Sequence, residues 1–276
     1  MCTLPRAHPY AAAMTPPPSP ASPLPPSRTP LPTGVEDGDL VLRRWEPPDA
    51  PALHDAVLAN LDHLRPFMPW VAFEPLTVDE RVALIEQWER DRLAGGDVLL
   101  GVFLVDPAVD TTDLTAPPVL ASPTTSAAPT APVVATGLTE LTGPSTVSAG
   151  STGSLQPKSC SVIVGGSGLH RRIGPHGLEI GYWIDHRRQR AGLATRVARL
   201  LTTTAFALPG IDTVEIHCDA ANAASARIPE KLGFALADTT SVPVKAPGER
   251  GEERVYRMTR TAWSDRRGQQ AGTALA

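Results

Sequence analysis

The chain is poor in cysteine, in tyrosine and in long apolar runs. Its three cysteines, Cys2, Cys160 and Cys218, are odd in number and lack metal-like spacing. That argues against a disulfide framework and suits a reducing compartment, and no metal is expected. No apolar run approaches the roughly 20 residues that a membrane-spanning helix needs, so no membrane association is expected. Proline stands near the N-terminus where a signal peptide requires an apolar stretch, which makes the cytoplasm the expected location. The net charge of −4 leaves no excess of positive charge for a polyanion, so no nucleic-acid partner is expected. The only tyrosines are Tyr10, Tyr182 and Tyr256.

Proline is abundant, and it is clustered. Of 30 prolines, 11 fall within the first 32 residues and eight between Pro107 and Pro157. Residues 1–34 are Pro, Ala and Ser with almost no charge, a composition that cannot bury enough apolar surface to offset chain entropy; a disordered tail is expected. Residues 107–160 carry four charged residues, Asp110, Asp113, Glu140 and Lys158, among Pro, Thr, Ser, Ala and Gly. They read as a low-complexity insertion, with one possible short strand at Val133–Leu141, tolerable because loop closure entropy grows slowly with length. About 190 residues remain, enough for one α/β domain spanning 35–262, followed by a disordered tail, 263–276.

Within that domain, Asp39–Trp45 alternates as a first strand, and Ala50–Asn60 carries a helical stripe. Leu61–Trp70 is a short helix broken by Pro66 and Pro69, whose aromatic and Met content suits either an acceptor pocket or a core lid. Thr77 and Glu80 form a capping-box-like start of a helix that Gly95-Gly96 stops. Val98–Val105 and Val162–His170 are the next strands, then Ile180–Ile184. Thr213–Cys218, a helix over Ala220–Leu232 ending at Gly233, and a final antiparallel pair at Phe234–Val244 and Arg254–Thr259 complete the domain.

The stretch Leu178–Phe206 organises the rest. An apolar strand runs into a turn that, with the helix after it, has five arginines in 13 residues (187, 188, 190, 196, 199). From Leu193 the apolar positions Leu193, Val197, Leu200, Leu201 and Ala205 take helical spacing. No acid lies between Asp185 and Asp212, and small residues sit where the helix begins, so its first N–H groups are open to an anion. The unit suits a phosphorylated ligand, with Arg187, Arg188 and Arg190 as possible phosphate partners and Arg196 and Arg199 as a solvated helix face.

The order Gln189-x-x-Gly192-x-Ala194 after the strand EIGYWI resembles the acyl-CoA-binding motif of the GNAT N-acetyltransferase superfamily. Asn222-x-x-Ser225, followed by Glu230-Lys231-Leu232-Gly233-Phe234, resembles the RimJ/RimL-type branch. The resemblance covers about 39–261. It implies an α/β (α+β) GNAT-like fold: a mixed, mostly antiparallel sheet of six to seven strands flanked by helices, with a strand splayed to form an acyl-CoA wedge. It also implies that acetyl-CoA, as acyl donor, lies with its pyrophosphate on Gln189, Arg190, Ala191, Gly192, Leu193, Ala194 and Thr195. Its pantetheine would pair with the Ile180–Ile184 edge, its thioester carbonyl would face N–H groups near Ile184, and Asn222 would hold the pantetheine arm. The implied activity is acetyl transfer to a primary amine, on a protein N-terminus or a small molecule, by direct attack, in a monomer or homodimer. The alternative is a non-catalytic CoA-binding or interaction protein.

Such transfer needs a base for the amine, a donor for the oxyanion and an acid for the departing thiolate. Many relatives place a Tyr acid in the last helix, where this chain has Pro229. The branch pattern makes Ser225 the substitute; otherwise it is a helix-surface hydroxyl. Asn222 doubles as a helix N-cap. Glu179 is a candidate base or a surface carboxylate, with His170 and His217 as runners-up. Cys218 reads as a small buried hydrophobe. Arg190 departs from the family's Gly, so its side chain is expected to point to solvent.

Overall fold

The computed structural model describes residues 30–105 and 161–273. The tail up to residue 29, the insertion 107–160 with its possible strand at 133–141, and the last three residues lie outside the described residues. Eight strands form one sheet: β1 (Gly34–Asp37), β2 (Leu40–Arg44), β3 (Val98–Val105), β4 (Ser161–His170), β5 (Gly177–Ile184), β6 (Thr213–Asp219), β7 (Ala235–Ser241) and β8 (Glu252–Thr259). The spatial order is β1-β2-β3-β4-β5-β6-β8-β7, antiparallel except for β5 against β6. The helices are α1 (Ala50–Leu58), α2 (Leu61–Leu64), α3 (Val78–Leu93), α4 (Leu193–Ala207), α5 (Ala223–Leu232) and α6 (Arg260–Thr273). None of the described helices is long and apolar enough to cross a membrane.

The sheet is covered on both faces, which is why β3 (VLLGVFLV) is apolar at nearly every position. Leu100 and Val102 point into one core with α4, whose Val197, Ala198 and Leu201 are fully buried. Phe103 points into the other, with Leu53 and Val57 of α1 and Leu84 and Ile85 of α3. The α3 start is a capping box: Thr77 Oγ1 accepts the Glu80 N–H at 3.2 Å, and the Glu80 carboxylate accepts the Thr77 N–H at 2.7 Å. Fully buried Arg81 forks onto Glu74 with two bonds of 2.9 Å, pinning the segment before α3.

Three expectations change. The sheet gains a strand over the expected six to seven, because β1 pairs with β2 through a tight turn at Gly38-Asp39, with Gly38 at φ 65°. The Leu61–Trp70 helix is only α2, followed by a 3-10 turn at Pro69–Phe73. In place of the expected 263–276 tail, the chain continues from β8 into α6. Trp263 is buried there beside Phe206, ring centroids 6.5 Å apart, and Arg260 donates to the carbonyls of Phe206, Leu208 and Ile211 at the end of α4.

Candidate active site

β5 and β6 pair at only three positions, Gly177–Glu179 against Thr213–Glu215. Beyond Glu179 they part, while β6 stays on β8 as far as Asp219 and β5 stays on β4 as far as Ile184. The result is a wedge in mid-sheet. The Asp185 N–H donates to the Val164 carbonyl at 2.8 Å. Because antiparallel pairs alternate, the odd-numbered residues of β5 exchange bonds with β4. The N–H and C=O of Tyr182 and Ile184 therefore face the wedge, where no β6 residue pairs with them.

The wedge leads to the turn before α4. Gly192 caps the helix at φ 78°, a left-handed conformation suited to glycine, and a Cβ there would meet nothing within 4 Å. The Arg196 N–H is the first to return to the helix, donating to the Gly192 carbonyl at 3.0 Å, so the N–H groups of Leu193, Ala194 and Thr195 have no partner within α4. The Leu193 side chain is core. Gln189, Arg190 and Ala191 are exposed, and Arg190 holds φ 60°. Gln189 Nε2 sits 2.9 Å from the His63 ring. His63 is held low by burial and then by the nearby His186 charge.

The arginines divide. Arg187 folds back onto buried Asp185, Nε at 3.0 and 3.1 Å from its two oxygens; this hydrogen bonding holds the Asp185 carboxyl down at about 2. Arg188 and Arg190 make no ion pair among the described residues. Arg196 and Arg199 are not simply a solvated face. Arg196 Nη2 donates to Asp39 at 2.7 Å and to the Asp37 carbonyl at 2.6 Å, and Arg199 reaches Asp37 at 3.4 Å, lacing α4 to the β1–β2 hairpin.

On the far side of the wedge, Asn222 caps α5, its Oδ1 accepting the Ser225 N–H at 3.1 Å. The Ser225 hydroxyl lies beside both the Tyr182 hydroxyl and the Cys218 thiol. Tyr182 Oη is buried without a hydrogen bond of normal geometry, and burial pushes its ionisation up; the Ser225 contact only partly offsets this. Burial likewise pushes the Cys218 thiol up to about 11. Pro229, inside α5, lacks the N–H that would have bonded the Ser225 carbonyl.

The wedge opens into a cleft of about 820 Å³ whose wall includes Trp45, Met68, Trp70, Phe73, Trp88 and Trp183. Glu179, His170 and His217 line it, and all three are engaged. Glu179 Oε1 accepts from Arg172 Nη1 at 3.2 Å. His217 Nε2 lies 2.8 Å from Glu215, with Nδ1 3.5 Å from Glu253. Burial opposes its charge, but the Glu215 and Glu253 bonds and the Glu179 charge prevail and raise it to about 10. His170 Nδ1 lies 2.8 Å from Asp97 Oδ2. The described residues hold no cluster of side chains suited to a metal.

The sequence reading missed Tyr182, Asp97, Arg172 and Asn60. Asn60, 1% exposed, donates to the Ala56 carbonyl at 2.8 Å, and its Oδ1 accepts the His186 N–H at 2.8 Å, tying α1 to the turn after β5. Period-two alternation marks Tyr182 as facing the side opposite Trp183 and Gly181. No local pattern marks the other three; the contacts that place Asp97 against His170 and Asn60 against His186 join residues far apart in the chain.

Residues 147–235 match the family model described as the acetyltransferase (GNAT) domain. The matched residues include β4, β5, α4 and β6, the elements around the wedge of a mixed, mostly antiparallel sheet. The chain's fold is similar to that of RimL, a ribosomal L7/L12 alpha-N-protein acetyltransferase solved with coenzyme A: 17% identity, 84% of this chain and 98% of that one, TM-score 0.57. It is similar to the microcin C7 self-immunity acetyltransferase MccE, solved with acetyl-CoA and AMP (16%, 83% and 98%, 0.57), and to Mycobacterium smegmatis RimJ, solved with CoA-disulfide (14%, 80% and 81%, 0.52). No curated protein sequence matches the chain.

Proposed function

We propose that this protein is an acetyl-CoA-dependent N-acetyltransferase that moves the acetyl group to a primary amine by direct attack. The observation that carries this reading is the wedge. It offers main-chain N–H and C=O of Tyr182 and Ile184 on one side, the Ser225 hydroxyl on the other, and a helix N-terminus with three free N–H groups at its end. That set fits a long ligand with amides in the middle and phosphates at one end. Acetyl-CoA supplies the activated acyl group and a thiolate leaving group.

In this reading, Gln189, Arg190, Ala191, Gly192, Leu193, Ala194 and Thr195 hold the pyrophosphate through main-chain N–H groups and the helix dipole. Arg188 and Arg190 add positive charge. The edge at Tyr182 and Ile184 aligns the pantetheine, and an N–H near Ile184 polarises the thioester carbonyl. Asn222 braces the arm, and Ser225 donates to the departing sulfur. The acceptor amine enters through the aromatic cleft. A ribosomal-protein N-terminus, the substrate of RimL, and a small-molecule amine are both candidate acceptors. The odd cysteine count supports a cytoplasmic setting. The protein acts as a monomer or homodimer.

The test is thiol release from acetyl-CoA in the presence of N-terminal peptides and small primary amines, with the product mass raised by one acetyl group. Binding of acetyl-CoA without transfer to any acceptor would favour the non-catalytic alternative.

A further inference from the structure

The wedge needs a group that takes a proton from the acceptor amine, and Glu179, His170 and His217 are among the titratable side chains that line the cleft. Glu179 is held by Arg172 at 3.2 Å and faces the His217 charge, so its own charge is already balanced. His217, raised to about 10, is an imidazolium at neutral pH with no lone pair to offer.

We propose, resting on the acetyltransferase reading above, that His170 is the general base of this enzyme and that Asp97 is its positioning residue. Asp97 sits in the turn between α3 and β3, with its Oδ1 accepting the Arg171 N–H at 2.9 Å and its Oδ2 2.8 Å from His170 Nδ1. A carboxylate only accepts, so Nδ1 is the protonated nitrogen and Nε2 carries the lone pair of the neutral ring. Nε2 has no hydrogen-bond partner among the described residues, and it lies over a pair of glycines facing each other on β4 and β5. A Cβ at Gly168 would come within 2.7 Å of Nε2, and one at Gly181 within 3.0 Å. Both positions need glycine to keep the ring in place at the start of the wedge. His170 is 7% exposed, which limits competition from water.

The charged groups around the ring are Asp97, Arg172 with Nη2 3.1 Å from Nδ1, and Glu179, its cross-strand partner on β5. Arg172 also bridges to Glu179 and lies 3.7 Å from Asp97. With Nδ1–H committed to Asp97, the guanidinium contact is electrostatic, and Arg172 is held there by the carboxylates of Asp97 and Glu179.

The proton count closes. The acceptor ammonium gives one proton to Nε2, which returns it to solvent through the cleft. The free amine forms the C–N bond at the thioester carbonyl carbon and the C–S bond breaks. The second N–H proton, lost as the amide forms, replaces the one that Ser225 gives to the sulfur, which leaves as the protonated thiol.

The experiment measures kcat and kcat/KM against pH for wild type, His170→Gln, Asp97→Asn and Glu179→Gln, with acetyl-CoA affinity by calorimetry and folding by circular dichroism. His170→Gln is expected to lower kcat about 10²–10⁴-fold near neutral pH and to abolish the acid limb, with unchanged acetyl-CoA Kd. The deficit should shrink as pH rises and the amine deprotonates in solution. Asp97→Asn should displace the acid limb, a change that a purely structural role would not produce. An acid limb that persists in His170→Gln and vanishes in Glu179→Gln overturns the proposal. If His170→Gln does not fold, an unmoved limb in Asp97→Asn overturns it. Absence of transfer by the wild type to any amine would instead remove the acetyltransferase reading itself, and this proposal with it.

Discussion

Asn60 Oδ1 accepts the backbone N–H of His186 at 2.8 Å, across 126 residues of sequence. This one bond sets the end of α1 against the turn through which β5 reaches the N-terminus of α4. Asn60 is 1% exposed, and its loss removes two bonds, the one its amide donates to the Ala56 carbonyl and the one it accepts from the His186 N–H. Asn60→Ala is expected to cost about 1–3 kcal/mol of stability and to raise KM for acetyl-CoA more than it lowers kcat. Chemical denaturation and steady-state kinetics check both.

Gly192 at φ 78° has room for a Cβ within the protein itself. Gly192→Val therefore meets two obstacles: the left-handed backbone, about 1–2 kcal/mol for an L-residue, and the ligand that the turn receives. Acetyl-CoA binding should weaken tenfold or more, about 1.4 kcal/mol, with the fold retained. Unchanged affinity by calorimetry would place the anion site elsewhere.

Arg190 stands at φ 60° one position beyond Gln189. Arg190→Gly should relieve backbone strain and raise stability by up to about 1 kcal/mol, since glycine adopts this region without the Cβ clash. It should also weaken acetyl-CoA binding at low salt more than at high salt, because a solvent-exposed charge is screened. Melting temperature and Kd at two ionic strengths separate the effects.

Ser225 lies beside the Tyr182 hydroxyl and the Cys218 thiol, in the wedge. If its hydroxyl serves the leaving sulfur, Ser225→Ala lowers kcat and kcat/KM together, leaving acetyl-CoA Kd nearly intact. About tenfold to a hundredfold is expected, below the upper range for acid catalysis, because a thiol with a pKa near 8.5 leaves readily. Asn222→Ala should instead raise Kd. Turnover of Ser225→Ala at the wild-type rate would reduce Ser225 to a helix-surface residue.

His217 binds its proton more tightly folded than unfolded, its value raised to about 10 from 6.5. Its stabilising contribution is complete below about pH 6.5 and is lost as pH rises through 10. Unfolding free energy should decline by up to about 1.4 kcal/mol per pH unit in that window. In His217→Gln this decline should flatten, as followed by denaturant titration at several pH values.

Much of the fold could be read along the chain, because the signals are local. The Thr77–Glu80 box, the Gly233 stop and the boundaries of β3 follow from caps, turn chemistry and periodicity within a few residues. The β1–β2 hairpin was also within reach, since Asp37-Gly38 is a turn dipeptide, but β1 offers only Val35 as an apolar residue. α6 was not: its sequence TAWSDRRGQQ has one large apolar side chain, and what anchors it is Trp263 against Phe206 and Arg260 against the end of α4.

The sequence by itself determined the order of strands and helices from β2 to β8, the small-residue turn before α4 and the Asn222–Ser225 cap, each specified by neighbouring residues and by alternation of period 2 or 3.6. Only the tertiary structure decided where β5 leaves β6 and which ionisable groups are already occupied. On paper Glu179 is the candidate base, with His217 and His170 as runners-up. Arg172 takes the first, Glu215 and Glu253 the second, and Asp97, 73 residues away, turns the third so that Nε2 is free. A proton's position is set by the nearest charges in space, and the chain brings most of these together only once the sheet has closed around them.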